Sequence, residues 1–216
     1  MKKLLLVITC LLFFTAAINA QKKYPYWSVG FNPLSMGESM ASIGPCVAYR
    51  ISPRKELWGE ASFIYNNLYE LAGWDHLRGF RFIFQPRYYT NKSRTFFIAP
   101  EFRLKQFSYH TSHEFINAAI PDTLKDYAYN SSQVLAGGAF VFGRQFTMSA
   151  RHHVFWEITA GIGGKVRLVN RKNIPPGYKY EMYRLLAFQH DYEVDNAGEI
   201  YFPVGVRVIW HLNRKN

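Results

Sequence analysis

The side chains best suited to chemistry lie close together in the middle of the chain. His110 and Ser112 are separated by one threonine, and Glu114 follows two residues later. A serine hydroxyl, an imidazole base and a carboxylate are the groups used in acyl hydrolysis, where the base takes the hydroxyl proton as the oxygen attacks a carbonyl. Ser112 is therefore a candidate nucleophile, with His110 as its base and Glu114 as the accompanying carboxylate. The interpretation we favour is simpler: these residues form the polar start of a loop.

Two groups of histidines could in principle hold a metal ion. His110 and His113 lie beside Glu114, and His152 is followed directly by His153. Neither group has a third ligand at a spacing typical of zinc sites, which use three or four protein ligands. The glycine-rich stretches also lack the strand-to-helix context of a phosphate-binding loop. We therefore predict neither a metal ion nor a cofactor.

The first residues have the pattern of an export signal. Lys2 and Lys3 precede an apolar run that ends at Phe14, and small residues lead up to Ala20. The run is about 11 residues long, short of the roughly 20 that cross a bilayer as a helix. This pattern predicts a signal peptide over residues 1–20, removed before Gln21, and a single domain over residues 21–216.

The composition of the chain is unusual for a soluble protein. Aromatic residues make up 18% of the sequence, and the formal net charge is +11, to which Lys2 and Lys3 of the predicted signal contribute two. Charged residues interrupt every apolar run after residue 20, so a membrane form of this chain would cross as strands. Without the signal Cys46 is the only cysteine, which excludes a disulfide within the chain. Export also makes nucleic acid an unlikely partner, so we expect the basic charge either to face anionic lipid or to keep loops soluble.

Alternation of apolar and polar residues predicts eight strands. The predicted segments are 27–34, 42–51, 57–68, 79–89, 95–107, 132–145, 154–168 and 199–212. Three connections are short, at 52–56, 90–94 and 146–153, and three are long, at 69–78, 108–131 and 169–198. Short turns at one end and long loops at the other are typical of outer-membrane barrels. We therefore predict an all-β fold, an eight-stranded antiparallel up-and-down transmembrane β-barrel with its turns and both termini in the periplasm.

The two faces of the predicted strands differ in polarity. In segment 95–107, Phe96 and Phe102 share one face, whereas Glu101 and Arg103 share the other. An eight-stranded barrel encloses a narrow space, which bulky aromatic side chains would overfill. We therefore place the oily face outside, against lipid. The alternative is a soluble periplasmic lipocalin-like carrier, which would have its oily face inside.

A charged inner face must be paired or hydrated, because an isolated charge in a protein interior is costly. We therefore predict a network of ion pairs in the lumen. Its predicted members are Glu60, Arg81, Arg87, Glu101, Arg103, Glu157, Lys165 and Arg207. Bases outnumber acids in this set, so a narrow anion channel is the alternative to a filled polar lumen.

The last predicted strand resembles the C-terminal insertion signal of bacterial outer-membrane barrels. Gly205, Val208 and Trp210 occupy its glycine, apolar and aromatic places, whereas Pro203 stands where a polar residue is usual and six residues follow the final aromatic. On these residues the chain resembles the bacterial outer-membrane β-barrel domain family, the OmpA/OmpX-like small barrels that include PorT-like proteins. The resemblance implies location in the cell outer membrane of a Gram-negative bacterium, with outer-membrane lipid and the barrel-insertion machinery as partners.

The resemblance does not select one function, because small barrels support varied roles. We expect a non-enzymatic, porin-like protein with an envelope-structural role or a binding role for its loops. The predicted loops 108–131 and 169–198 are candidate surfaces for an extracellular glycan or protein. The enzymatic alternative is a lipid-modifying one, because barrel lipid-A deacylases resemble this chain in having a His-x-Ser pair. In those enzymes the pair lies on a late strand that faces lipid.

Overall fold

The computed structural model describes residues 27–36, 40–67, 75–91, 93–117, 120–173, 178–180 and 198–212. The predicted signal peptide lies outside the described residues. The described chain is all-β, with 85% of it in strands. No helix within these ranges is long and apolar enough to span a bilayer.

The described ranges contain eleven strands and one short 3-10 helix. In chain order they are β1 (Trp27–Phe31), the 3-10 helix (Pro33–Met36), β2 (Met40–Ile43), β3 (Pro45–Ser52), β4 (Lys55–Asn67), β5 (Asp75–Tyr89), β6 (Phe96–Asn117), β7 (Ile120–Ser149), β8 (Val154–Lys172), β9 (Tyr178–Tyr180), β10 (Gly198–Tyr201) and β11 (Val204–His211). The lengths of β6 and β7 exceed those of all the other strands described.

The strands form one antiparallel sheet that contains a ring of eight. Around the ring the order is β1, β3, β4, β5, β6, β7, β8 and β11, and β1 pairs with β11 to close it. β2 continues β3 along β4 in one register, because Ile43 pairs with Phe63 and Cys46 pairs with Glu60. β10 continues β11 along β8 in the same way. The ring therefore has eight positions although eleven strands are described.

Each interruption in these two composite strands has a local cause. Between β2 and β3, a Cβ atom on Gly44 would lie 2.0 Å from the carbonyl oxygen of Ala61, so only glycine permits this close approach. Between β10 and β11, Pro203 has no amide hydrogen to give to the ladder. Both residues break the strand without shifting its register.

The predicted all-β fold and its antiparallel pairing are confirmed, and the bounds differ in part. The predicted loop over residues 108–131 is wrong: β6 continues to Asn117 and β7 begins at Ile120, and their pairs run from Phe96 with Arg144 to Ile116 with Leu124. Polar composition suggested a loop here, but cross-strand pairing stabilises a hairpin whatever its polarity. In the predicted loop 169–198, residues 178–180 form β9 on the edge of β6, and residues 181–197 lie outside the described part.

The side chains of the ring alternate between an exposed apolar face and a buried polar face. On β5, Phe80, Phe82 and Phe84 are exposed, whereas Arg81 and Arg87 are buried. The predicted placement of the two faces is therefore confirmed. We call the exposed apolar side chains of the ring the outer belt. Its larger members are Trp27, Phe31, Phe63, Phe80, Phe82, Phe84, Phe96, Ile98, Phe102, Leu104, Phe140, Phe142, Phe146, Trp156, Ile158, Ile162, Leu168, Ile200, Phe202 and Val204.

The inner face leaves almost no spare volume where Phe97 lies over its cross-strand partner Gly143. A Cβ atom on Gly143 would lie 2.1 Å from the ring of Phe97, so Gly143→Val must displace that ring. Overpacking of this kind costs about 1–3 kcal/mol. We expect a matching fall in the free energy of unfolding, measured by urea titration of the protein in detergent.

The matched control lies on the same strand. A Cβ atom on Gly138 would have Glu101 O as its nearest neighbour, at 3.6 Å, which is ordinary contact. Gly138→Val should therefore leave stability unchanged or raise it slightly, since valine favours strands. Equal losses in both variants would contradict the packing of Phe97 against Gly143.

Candidate functional site

The polar interior is organised around the carboxylate of Glu157 on β8. Arg87 on β5 binds it with both terminal nitrogens, Nη1 to Oε2 at 2.9 Å and Nη2 to Oε1 at 2.8 Å. Arg207 on β11 donates from Nη1 to the same Oε1 at 2.8 Å. All three side chains are almost completely buried. Such charge-assisted, bidentate bonds are the strongest that side chains form in proteins. We call these three residues the central cluster.

Aromatic rings enclose the two guanidinium groups. The carbon Cζ of Arg87 lies 4.7 Å from the ring centroid of Trp58 and 4.4 Å from that of Phe97. On the same Trp58 ring, Cζ of Arg207 lies at 4.1 Å from the centroid. A cation over an aromatic face is attracted to the ring and is shielded from water. The central cluster is therefore both paired and sealed.

The contacts of the central cluster cross the lumen. β4 and β8 occupy opposite positions in the ring of eight, and β11 neighbours β8. Trp58 on β4 nevertheless meets Arg207 on β11, and Arg87 on β5 meets Glu157 on β8. Side chains from opposite walls thus meet in the middle, which is what the narrow interior of an eight-stranded ring allows.

A second group of contacts extends toward the end of the ring that carries the short turns. Glu56 on β4 accepts a hydrogen bond from the hydroxyl of Tyr89 at 3.0 Å and pairs with Arg94 in the turn between β5 and β6. Gln145 on β7 donates to Tyr89 Oη at 3.0 Å and to Glu157 Oε2 at 3.2 Å. Burial lowers the pKa of Arg94 to about 10, which still leaves it charged at neutral pH. Glu56 is thereby linked to the central cluster.

Further pairs lie toward the other end of the ring. Glu60 accepts from Arg81 at 2.5 Å and from the hydroxyl of Ser62 at 2.9 Å. Glu101 pairs with Arg103 at 3.0 Å. Each of the inner acids described so far is therefore held by at least one base.

The last pairs of this region lie at its wetter margin. Lys165 binds Glu199 at 2.9 Å, and Arg167 contacts the same carboxylate. About a quarter of the Arg103 and Lys165 side chains stays exposed, at 23% each, so water screens these two pairs more than the central cluster.

The eight residues predicted for the lumen network all lie on the inner face, and the contacts above include every one of them. Sequence reasoning missed Glu56 and Glu199. It placed Glu56 in a turn, but the turn holds only residues 53–54 and Glu56 is the second residue of β4. The alternation along the strand could have identified Glu56, because it lies an even number of residues from Trp58 and Glu60 and therefore faces the same side of β4. With the two added acids, the inner face is less cationic than the sequence suggested.

The candidate catalytic residues lie on β6, toward the hairpin that it forms with β7. His110 and Ser112 share one face of the strand, on either side of buried Thr111, and Ser112 is exposed. His110 Nδ1 lies 3.0 Å from Asn130 Oδ1 on β7. Glu114 belongs to the same strand, but its side chain is outside the described part. Among the residues described, no group of three or more metal-binding side chains comes together.

The residues of the predicted insertion signal lie on β11. Gly205 faces the interior, where a Cβ atom would lie 2.7 Å from Thr159 Oγ1. Trp210 faces outward and stacks on Phe31, with ring centroids 6.0 Å apart. Val208 is only 7% exposed, because it lies between its large cross-strand partners on β1 and β8.

Comparison of the chain with protein-family models, with curated proteins and with solved structures finds no match.

The central cluster predicts a large effect of Glu157→Gln. The change would leave two buried guanidinium groups without their shared counter-charge, and breaking a buried pair in this way costs about 3–5 kcal/mol. We expect that loss in the free energy of unfolding, measured by urea titration in detergent.

Glu199→Gln is the matched control for this substitution. Its carboxylate also holds two bases, but 20% of its side chain is exposed and solvent can compensate. It should lose less than half as much stability as Glu157→Gln. A larger loss in the control would show that the central cluster is not the main electrostatic support of the ring.

Proposed function

We propose that this protein is a non-enzymatic outer-membrane β-barrel, exported through a cleaved signal peptide, that serves as a rigid scaffold in the bacterial envelope and presents a long β-hairpin for binding. The observation that carries the proposal is the inverted polarity of the ring, with charged side chains buried inside and the outer belt exposed. A soluble barrel has the opposite arrangement. The lipocalin-like alternative therefore requires an oily interior where the described residues are charged.

The height of the outer belt fits a membrane. On β8 it extends from Trp156 to Leu168, which at about 3.3 Å per residue is roughly 40 Å along the strand. A strand tilted by about 45° would then span ~28 Å, close to the ~30 Å thickness of bilayer hydrocarbon. Beyond the belt the exposed side chains become polar, with Asn170 at one end of β8 and Arg151 in the turn at the other.

Arg144 is a charged residue on the outer face of β7, near the margin of the outer belt that faces the short turns. Cζ of Arg144 on β7 lies 4.8 Å from the ring centroid of Phe96 and 4.7 Å from that of Phe146. Long cationic side chains can cover apolar surface with their stems while the charged end reaches the lipid headgroups. The position of Arg144 is consistent with a membrane interface at this level.

The interior supports a scaffold more than a channel. The central cluster joins opposite walls through bonds of 2.8–2.9 Å, and Trp58 adds bulk at the same level. An ion that crossed here would have to separate buried charge pairs, which costs several kcal/mol. We therefore propose a filled lumen.

With the lumen filled, the surface that we propose for binding is the hairpin of β6 and β7. Among the residues described, the last pair between β5 and β6 is Asp75 with His110, and the last pair between β7 and β8 is Asn130 with Lys172. Residues 111–117 continue beyond both of these pairs, which at about 3.3 Å per residue extends the hairpin ~20 Å past them. β9 pairs with residues 115–117 and widens it to three strands. In our proposal this hairpin is the surface for an extracellular glycan or protein.

The experiment that tests the proposal is heat-modifiable gel migration of the protein from isolated membranes. We expect it to sediment with outer membranes and to migrate as a compact species that shifts on boiling, because a closed sheet resists detergent until heated. Recovery as a soluble protein without a shift would overturn the proposal.

The outer belt predicts a depth-dependent effect of charge. Phe102 and Gln106 share the outer face of β6, but Phe102 lies in the middle of the belt, whereas Gln106 pairs with Phe80 at its margin toward the hairpin. An arginine at the middle of the bilayer destabilises a barrel by about 2–4 kcal/mol, and near the interface by about 0–1 kcal/mol. In lipid vesicles Phe102→Arg should therefore lose that larger amount of unfolding free energy, and Gln106→Arg little. Equal effects of the two substitutions would contradict a lipid-facing belt.

A further inference from the structure

Arg144 on β7 is surrounded by apolar residues of the outer belt. Its direct cross-strand neighbours are Phe96 on β6 and Ile158 on β8, and all three side chains are exposed. Charged residues elsewhere on the outer face of the described strands, such as Lys55 and Lys172, lie at strand ends beyond the belt. A full positive charge therefore lies where the neighbouring side chains offer only hydrocarbon.

The contacts of Arg144 in the described part of the chain are with two aromatic rings. Its Cζ lies over both, 4.8 Å from the ring centroid of Phe96 and 4.7 Å from that of Phe146. Aromatic faces attract a cation but accept no strong hydrogen bond, so the N–H groups of the guanidinium keep their capacity to donate. No carboxylate of the described residues pairs with Arg144, whereas Arg87 and Arg207 share Glu157. The group is thus held in position without a counter-charge from these residues.

The guanidinium group of Arg144 leans toward the short-turn end of the ring. Phe146, one of the rings it lies over, is the next outward residue of β7 on the way to the turn. Phe146 pairs with Trp156 on β8, which is 36% exposed. The indole nitrogen of Trp156 donates no hydrogen bond to any residue described, and indoles at a membrane interface keep this polar group at headgroup depth. Two kinds of donor therefore lie on neighbouring strands at this margin of the belt.

We propose that Arg144 binds the phosphate group of a glycerophospholipid in the leaflet on the short-turn side. The planar guanidinium presents its N–H groups in a fork that matches two phosphate oxygens. The acyl chains of the same lipid would cover the apolar residues around Arg144, so one molecule supplies both the counter-charge and the apolar contact. An ion pair at such a site is strong because little water screens it. This inference rests on the membrane location proposed above.

A phospholipid suits the surroundings of Arg144 better than a carboxylate of a partner protein. An ionisable side chain within a lipid-facing surface is costly unless an anion meets it there. A partner protein would have to bring its carboxylate to the belt through hydrocarbon, at a desolvation cost of its own. The phosphate of a lipid already lies at the depth that the side chain reaches by leaning toward Phe146.

The test is titration of the folded protein with dioleoyl phosphatidylglycerol in a detergent without phosphate, followed by native mass spectrometry, which counts the lipids retained on each protein. We expect saturable retention of this lipid, and little retention of dioleoylglycerol, which has the same chains without the phosphate. Arg144→Gln should weaken retention about tenfold, the effect of losing one hydrogen-bonded charge. Arg144→Lys should weaken it less, because it keeps the charge and loses the fork.

Arg151→Gln is the matched control, because it removes the same charge from an exposed position in the turn between β7 and β8, beyond the belt. It should retain phosphatidylglycerol like the unchanged protein. Phe146→Leu keeps an apolar side chain but removes one of the rings over which the guanidinium lies, and should weaken retention severalfold. It also carries the test if Arg144→Gln does not fold, as judged by the shift of migration on boiling.

Equal retention of the two lipids, or equal losses in Arg144→Gln and Arg151→Gln, would overturn the phosphate site. Dimers that disappear in Arg144→Gln without any retained phospholipid would assign the residue to a protein partner and would also overturn it. In both cases a protein that sediments with outer membranes and shifts on boiling leaves the membrane location standing. A soluble protein without that shift would overturn both proposals together.

Discussion

The structure depends on the pairing of Glu157 with Arg87 and Arg207. A buried carboxylate is stable only if its charge is matched and its oxygens accept hydrogen bonds, and these partners come from β5, β8 and β11. Strands that distant in the chain meet around one carboxylate only when the sheet closes into a ring. Closure and charge pairing therefore support each other, and neither would persist in an open sheet, where the same charges would return to water.

A charged interior has a direct consequence for the outer surface. Few large apolar side chains of the described residues fit inside: Trp58, Tyr89 and Phe97 lie at the level of the charge pairs, and Phe107, Tyr109 and Leu135 lie toward the hairpin end. Most other aromatic residues of the described strands lie outside, where water would disfavour them and lipid would not. The interior thus combines charge pairs enclosed by aromatic rings in its middle and beside the short turns with a buried apolar group toward the hairpin. Together they explain how a ring without a conventional hydrophobic core can remain closed.

Sequence analysis correctly predicted the features that follow from the alternation of side chains along a strand. It missed the features that depend on which strands pair and how far their pairing extends. Alternation along a strand fixes the face of each side chain, so the positions of Arg81, Glu101 and Glu157 could be predicted before their partners were known. The extent of β6 and β7 could not, because a polar hairpin is stabilised by its register and resembles a loop in composition. Glu56 was missed for a related reason, since the exact ends of a strand are the least certain part of a prediction from sequence pattern. Which base meets which acid follows from ring order, and no local pattern contains that order.

The position of the central cluster also has a consequence for the hairpin end of the ring. Contacts between opposite walls make the middle rigid, since moving one wall would separate pairs that belong to several strands. A rigid middle lets β6 and β7 keep their register as they extend past the described parts of β5 and β8, and β9 pairs with the extended part. The extended hairpin is thus held in an arrangement that a flexible sheet could not maintain.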